Sequence, residues 1–443
     1  MFVGITNTPR DYAWGSRTAI ADLLGHPASG GPEAELWLGA HPGWPSTVTT
    51  ATPALAGRRL DEVIADAPAE FLGAGRDRLP FLMKVLAAES ALSLQVHPDP
   101  EQAREGFERE NAAGIPLDAE TRNYKDDSAK PELILALSAT FEALAGFRHV
   151  SESRLLFAEL ASVASGADRA AIAAFAEGLA AGDPAEAGSF GSSAAVLHEG
   201  QPDSGATTSP HTRSGNPLAT AVERLLRGGD DVDRLVSAVV ATAPRLIEGS
   251  SFAREWATVG DLATAFPGDP GIVMSLLLNR VSLQQGQVLA LPAGNVHAYL
   301  SGLGVEVMTA SDNVLRGGLT PKHVDVDELL RIVRFEALPP QIVQPETPAP
   351  GVTTWRPEGD GFVLARIALG DAAAVHGYTL SGPERTTFPL TGPAELLVVQ
   401  GGLTVQGAKD EMALARGDAA FITPDEGELT VSGSAVAFLT TTP

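Results

Sequence analysis

The sequence predicts a mainly β protein with an inserted α-helical domain. Short apolar runs bounded by glycine and proline fill residues 30–97 and 131–147 and return from Val281 onward, as β-strands do. Between them the chain turns alanine-rich, with apolar residues at helical spacing. Residues suited to one chemical site stand on both sides of that block, so it reads as an insertion within one β domain.

Taken in order, AELWLGAHPGWPS and LPFLMKVLAAESALSLQVHPD supply the first strands, with a short helix near 59–65. PELILALS and FEALAGF add two more. SRLLFAELASVA, DRAAIAAFAEGLAAG and DRLVSAVVATAPRLI predict helices. The stretch 184–217 is dominated by Gly, Ser, Ala, Thr and Pro and is expected to be a mobile surface loop. VSLQQGQVLALPAGNVHAYL and GVEVMTASDNVLRGG restore strand character, VDVDELLRIV predicts a helix, and PPQIVQPETPAP a proline-rich linker. The repeated short strands beyond it predict a small sandwich or barrel. The expected domains are therefore 1–148, the first part of a site-bearing β domain; 149–265, the helical insertion; 266–338, the second part of the β domain; and 339–443, a C-terminal β domain.

A chain of 443 residues has room for about three domains of ordinary size. Its net charge of -24, from 55 acidic and 31 basic residues, argues against a nucleic-acid or anionic-membrane partner. Any phosphate-bearing substrate must then be met by a local basic cluster. Cysteine is absent, so a metal would have to take His, Asp, Glu or Gln. The first residues lack the basic flank and continuous apolar region of a signal peptide, and no apolar run reaches the ~18 residues of a membrane span. A cytoplasmic protein is expected.

In GQVLALPAGNVH, Gly286 is followed by Pro292, Gly294 and His297 at a spacing that resembles the second signature of the cupin superfamily, whose histidine points into a β-barrel. Ser301 stands where that superfamily often has asparagine. Gln95 and His97 are two apart on an expected strand, so both side chains face one way. Glu132 would add a carboxylate at the start of the next strand. Two imidazoles, one carboxylate and one amide oxygen suit zinc, although donor softness alone also admits nickel, cobalt or iron. A lone strand histidine is more often packed than ligating, so the weight lies on the four together.

Six blocks in order, YAWGS, AELWLGAHPGWPS, LPFLMKVLAAESALSLQVHPD, NYKDDSAKPEL, FEALAGFR and LPAGNVHAYLSGLGVEVMTASDNVLRGGLTPKHVD, resemble those of the type I phosphomannose isomerases over most of residues 1–335. That resemblance implies a zinc-dependent interconversion of mannose 6-phosphate and fructose 6-phosphate. It implies one Zn2+ per chain on Gln95, His97, Glu132 and His297, a sugar-phosphate substrate, and a monomer. The implied fold is a cupin-like (jelly-roll) catalytic domain with a helical domain and a C-terminal β domain, here a degenerate, metal-free cupin-like one. One departure stands out. The family often has histidine immediately before the Lys-Pro-Glu triplet, and this chain has Ala129.

Aldose–ketose isomerisation through a cis-enediol or enediolate needs positive charge at the developing oxyanion and a group that carries the proton between C1 and C2. Arg316, flanked by Gly317 and Gly318, resembles the family's catalytic arginine. Glu306, Lys130 and Asp312 are three candidates for the proton carrier, and sequence does not choose among them. Ser93, Lys84, Lys130, Arg316 and Lys322 form the pool for phosphate contacts, while Tyr299 and Trp14 are candidates for the sugar pocket. Two other readings fit less well. An iron-dependent cupin oxidoreductase would not need the amide ligand or the basic lining, and a non-catalytic two-cupin sugar-binding protein would not need Arg316, Lys130 and Glu306.

Overall fold

A computed structural model describes residues 1–180, 215–357, 361–375 and 378–443. It divides into two units, Met1–Ala145 with Arg280–Arg316 and Pro340–Pro443, and Gly146–Asn279 with Gly317–Pro339. Most of the expected 184–217 loop lies outside the described residues. Among the described residues no helix is long and apolar enough to cross a membrane.

The first unit is built on antiparallel sheets. One runs in the order Leu315–Arg316, Gln95–Val96, His297–Thr309, Glu132–Ala136, Val288–Leu291, Gln341–Val343. Its long strand, His297–Thr309, serves two sets of neighbours. The first half pairs with Gln95 and with Thr140–Phe147, and the second half with Phe81–Ala88 and Glu132–Ala136. The register shifts between Tyr299 and Ser301, and Gly302 follows at a φ of 131° with Phe141 so close that an added Cβ would lie 2.6 Å from its ring. Only glycine fits there. This bend lets a single strand carry His297 at one end and Glu306 at the other.

Phe81–Ala88 is buried along its whole length. Lys84 is the one charged residue in it, and its partners must come from neighbouring strands: Trp37 and Glu306 are its register partners on either side. The helix Pro100–Ala112 was not expected from periodicity because its composition is strongly polar. Its start signal was nevertheless in the sequence, since Asp99 and Gln102 form a reciprocal capping box with Pro100 in the first turn. The short helix expected near 59–65 is present as Leu60–Asp66.

A second antiparallel sheet gathers the C-terminal strands, and Phe2–Thr6 joins it by pairing with Ala419–Ile422. The sequence places residues 1–148 in the site-bearing domain and predicts no strand before residue 30; this one is completed by a partner more than 400 positions away. Val3, Phe81, Val305, Leu397, Phe421 and Phe438 belong to a single buried cluster that runs through both sheets. The second unit packs amphipathic helices, among them Val150–Val163, Gly166–Ala180, Pro217–Arg227 and Asp230–Thr242, around Phe157, Phe175, Val222 and Leu235. Phe157 and Phe175 meet at 4.9 Å. Residues 271–277 are helical and belong to this unit, as does Val326–Ile332.

Glu395, in the Ala394–Gln406 strand, is fully buried and aims Oε1 at Gly39. Its carboxyl lies beside the Met83 backbone, yet neither oxygen reaches hydrogen-bonding geometry. Burial pushes the carboxyl well above its ordinary value of 4.5. Below that value both folded and unfolded chains carry the proton. Above it the unfolded chain ionises while the folded one does not, so this stabilisation is lost as pH rises. Glu395→Gln should therefore gain more stability relative to the parent at pH 8 than at pH 5. Urea denaturation at both pH values checks this, and a difference independent of pH would contradict it.

Candidate metal centre

Strand pairing brings the sequence-distant residues together. Gln95 is opposite His297 on one side and opposite Arg316 on the other, so their side chains share a face. Glu132 opens the strand on the other flank of His297–Thr309, opposite Met308. His97, Glu132 and His297 are buried, and one donor atom from each lies within 4.8 Å of the others. The closest approaches are 3.3 Å from His97 Nε2 to Glu132 Oε1 and 3.2 Å from His297 Nε2 to Glu132 Oε2.

The outer nitrogens decide what those inner atoms are. His97 Nδ1 lies 2.8 Å from the Asn313 carbonyl and His297 Nδ1 lies 3.0 Å from the Asn295 carbonyl. A carbonyl can only accept, so each Nδ1 carries the hydrogen, and a neutral ring then turns a lone pair inward at Nε2. Burial, aided by Lys130, lowers His97 to about 4 against the opposing pull of Glu132, so this ring is neutral at pH 7. Burial would raise Glu132, but the Lys130 ammonium pulls the other way, and the carboxyl is held well below the usual range. Three lone-pair-bearing groups thus face one another in a buried space, and Nε2 of both rings and Oε2 of Glu132 have no hydrogen-bond partner. A divalent cation satisfies all of them at once. The spacings of 3.2 and 3.3 Å match the ~3.3 Å edge of a tetrahedron whose corners stand ~2.0 Å from a central zinc.

Beside this cluster lies a buried charge network. Lys84 Nζ is 2.9 Å from Glu306 Oε2 and 3.9 Å from Glu35 Oε1. The Tyr299 hydroxyl donates to Glu306 Oε1 at 2.9 Å, and Trp37 Nε1 donates to Glu35 Oε2 at 2.8 Å. Burial would lower Lys84, but Glu306 and Glu35 reverse the effect and keep it protonated. Glu306 itself is raised, chiefly by burial and against the pull of Lys84. Lys130 Nζ reaches Glu132 Oε1 at 3.0 Å. Arg316 is half-buried and makes no hydrogen bond or ion pair among the described residues; burial lowers its proton affinity.

Residues 2–150 match the family described as phosphomannose isomerase type I, catalytic domain. The mannose-6-phosphate isomerase of Escherichia coli (strain K12) is 35% identical over 435 residues, which cover 97% of this chain and 96% of that protein. The chain belongs to the type I phosphomannose isomerase family. The mannose-6-phosphate isomerase of Salmonella typhimurium (strain LT2) is 33% identical over 440 residues, 97% of each chain. A crystal structure of a zinc-bound mannose 6-phosphate isomerase aligns with a TM-score of 0.79 at 31% identity, covering 100% of this chain and 99% of that one.

Against this family frame, the remaining candidates fall in different places. Trp14 is half-buried, stacks on Tyr12 at 5.7 Å and packs against the cluster containing Tyr299. Ser93 is half-buried just ahead of Gln95. Asp312 is half-exposed at 49% and faces His41 Nε2 at 3.4 Å. Lys322 is an exposed residue of the second unit. Lys84 is not a surface lysine but the centre of the buried network.

Sequence reasoning missed Glu35 and His41, although both lie in the AELWLGAHPGWPS block. Glu35 and Trp37 share strand parity, which was the available signal. Replacing Lys84 by Met would strand Glu306 and Glu35 without their cation, and should cost about 3–5 kcal/mol of folding stability. Urea denaturation of the metal-free protein measures this; a loss below 1 kcal/mol would mean that the network contributes little.

Proposed function

We propose that the chain is a zinc-dependent aldose–ketose isomerase that interconverts mannose 6-phosphate and fructose 6-phosphate. Gln95, His97, Glu132 and His297 would hold one zinc ion per chain. The observation that carries this reading is the convergence of inward lone pairs from His97, Glu132 and His297 in a buried space. Relatives of similar length bear the isomerase name, and the similar crystal structure contains zinc. We read the site-bearing sheet as a cupin-like jelly roll, the helical unit as an insertion and the C-terminal sheet as a degenerate cupin-like domain.

When bound, zinc supplies positive charge and Lewis acidity beside the sugar oxygens. The protein's own residues do the rest. The carrier takes the proton from C2 of the open-chain aldose as the C1 carbonyl oxygen gains one, and it then returns its proton to C1 of the cis-enediol or enediolate as the C2 hydroxyl gives up its proton and becomes the carbonyl. Arg316 donates to the oxygen on which charge develops, and its lack of an internal partner leaves its donors available.

The proton carrier is one of Glu306, Lys130 and Asp312. Glu306 has the raised carboxyl suited to a base but holds Lys84 and Tyr299 on its two oxygens. Lys130 is engaged with Glu132. Asp312 is the most exposed of the three. Ser93, Lys84, Lys130 and Arg316 remain the donor pool for phosphate, with Trp14 and Tyr299 walling the sugar.

A coupled assay with mannose 6-phosphate should show turnover that chelation abolishes and added zinc restores. Turnover that survives complete metal removal would end the zinc-dependent reading. Arg316→Ala should lose about 10²–10³ in kcat while binding zinc and keeping its circular dichroism spectrum. A variant as fast as the parent would remove Arg316 from the chemistry.

A further inference from the structure

Resting on that metal reading, we propose that Asn313 and Asp126 form a positioning frame that aims His97 at the metal and ties its setting to the segment leading into Arg316. His97 is oriented by a backbone carbonyl, that of Asn313. A carbonyl in a loop orients a ligand only as well as the loop itself is fixed. Here the fixing is done by the side chain of the same residue, which is fully buried.

The Asn313 amide is used at both ends. Oδ1 accepts from the Lys125 and Asp126 N–H groups at 2.7 and 3.2 Å, and Nδ2 donates to the Asp126 and Ser128 carbonyls at 2.8 and 2.9 Å. Only a primary amide can both accept and donate in this way. Asp126 reciprocates, its carboxylate accepting from Ser311 Oγ at 2.8 Å and from the Asp312 N–H at 3.0 Å. The two loops are thus cross-bonded through groups that would be left buried and unpaired if the amide were removed.

Both loops lead directly into the site. Four residues beyond Ser128 is Glu132, and three beyond Asn313 is Arg316. One frame therefore sets the outer partner of one ligand, the entry to a second and the strand that carries the unpaired guanidinium. The two residues act through the His97 imidazole and are positioning residues, not catalytic ones. Partners of a ligating histidine are worth about 10–100-fold in metal affinity.

The test is zinc affinity of the full-length chain by competition with a chromophoric chelator, alongside thermal unfolding of the metal-free protein. The parent should bind one zinc. Asn313→Ala and Asp126→Ala should bind it about 10–100-fold more weakly, and Asp126→Asn, which keeps one acceptor oxygen but turns an NH2 toward a donor that the other oxygen served, should fall between the parent and Asp126→Ala. Asp126→Ala leaves the amide's own backbone bonds in place, so it carries the test if Asn313→Ala does not fold. Unchanged affinity in the folded alanine variants, with only a lower metal-free unfolding temperature, would overturn the frame. A parent chain that binds no zinc would instead overturn the metal reading on which the frame rests.

Discussion

Two imidazole Nε2 atoms and one carboxylate face one another in a buried space, and this is the constraint around which the site is arranged. An imidazole that places its single N–H on an outer carbonyl cannot donate to Glu132, and the carboxylate cannot donate to it. Left alone, such an arrangement costs desolvation without compensating bonds. It is tolerated because each member is held from outside, His97 and His297 by carbonyls and Glu132 by Lys130. The bend at Gly302 belongs to the same economy of parts. It allows one strand to present His297 to Gln95 at one end and Glu306 to Lys84 at the other.

The Lys84 network shows a second way of managing buried charge. Two carboxylates and one ammonium would leave a net negative charge inside the sheet, and neighbouring hydroxyl and indole donors spread it over hydrogen bonds from Tyr299 and Trp37. Glu395 has no such provision. Nothing basic offsets its burial among the described residues, and its carboxyl is pushed well above the usual range. The same residue type is thus held low at Glu132 and pushed up at Glu395, and the difference lies in whether a cation stands within reach.

How far the sequence anticipates this depends on the range of each interaction. His97 and Gln95 were legible because strand parity is local, and Glu132 and His297 because each sits in a block with its own turn residues. Trp37 and Glu35 were within reach of the same parity rule. Asn313 was not, because its partners lie at residues 125–128, nearly two hundred positions earlier, and no local pattern announces a side chain that bonds a distant backbone. The first strand, Phe2–Thr6, was not expected: the strand reading begins near residue 30, and the partner that completes it lies at residues 419–422. The polar helix Pro100–Ala112 escaped a search based on apolar periodicity although its cap was explicit.

The overall acidity of the chain does not conflict with a phosphate-bearing substrate. At physiological ionic strength the field of distant surface charges is screened within about 8 Å, so recognition is decided by the charges lining the site. Arg58, Arg59, Arg78, Arg148 and Arg227 are all committed to carboxylates. Arg316 is half-buried on the strand next to Gln95 and pairs with none. Partial burial without a counter-ion is unfavourable for a guanidinium in the free protein. That cost is offset when an anionic or oxyanionic group arrives, which makes the same placement favourable to binding and stronger still where negative charge grows during a reaction.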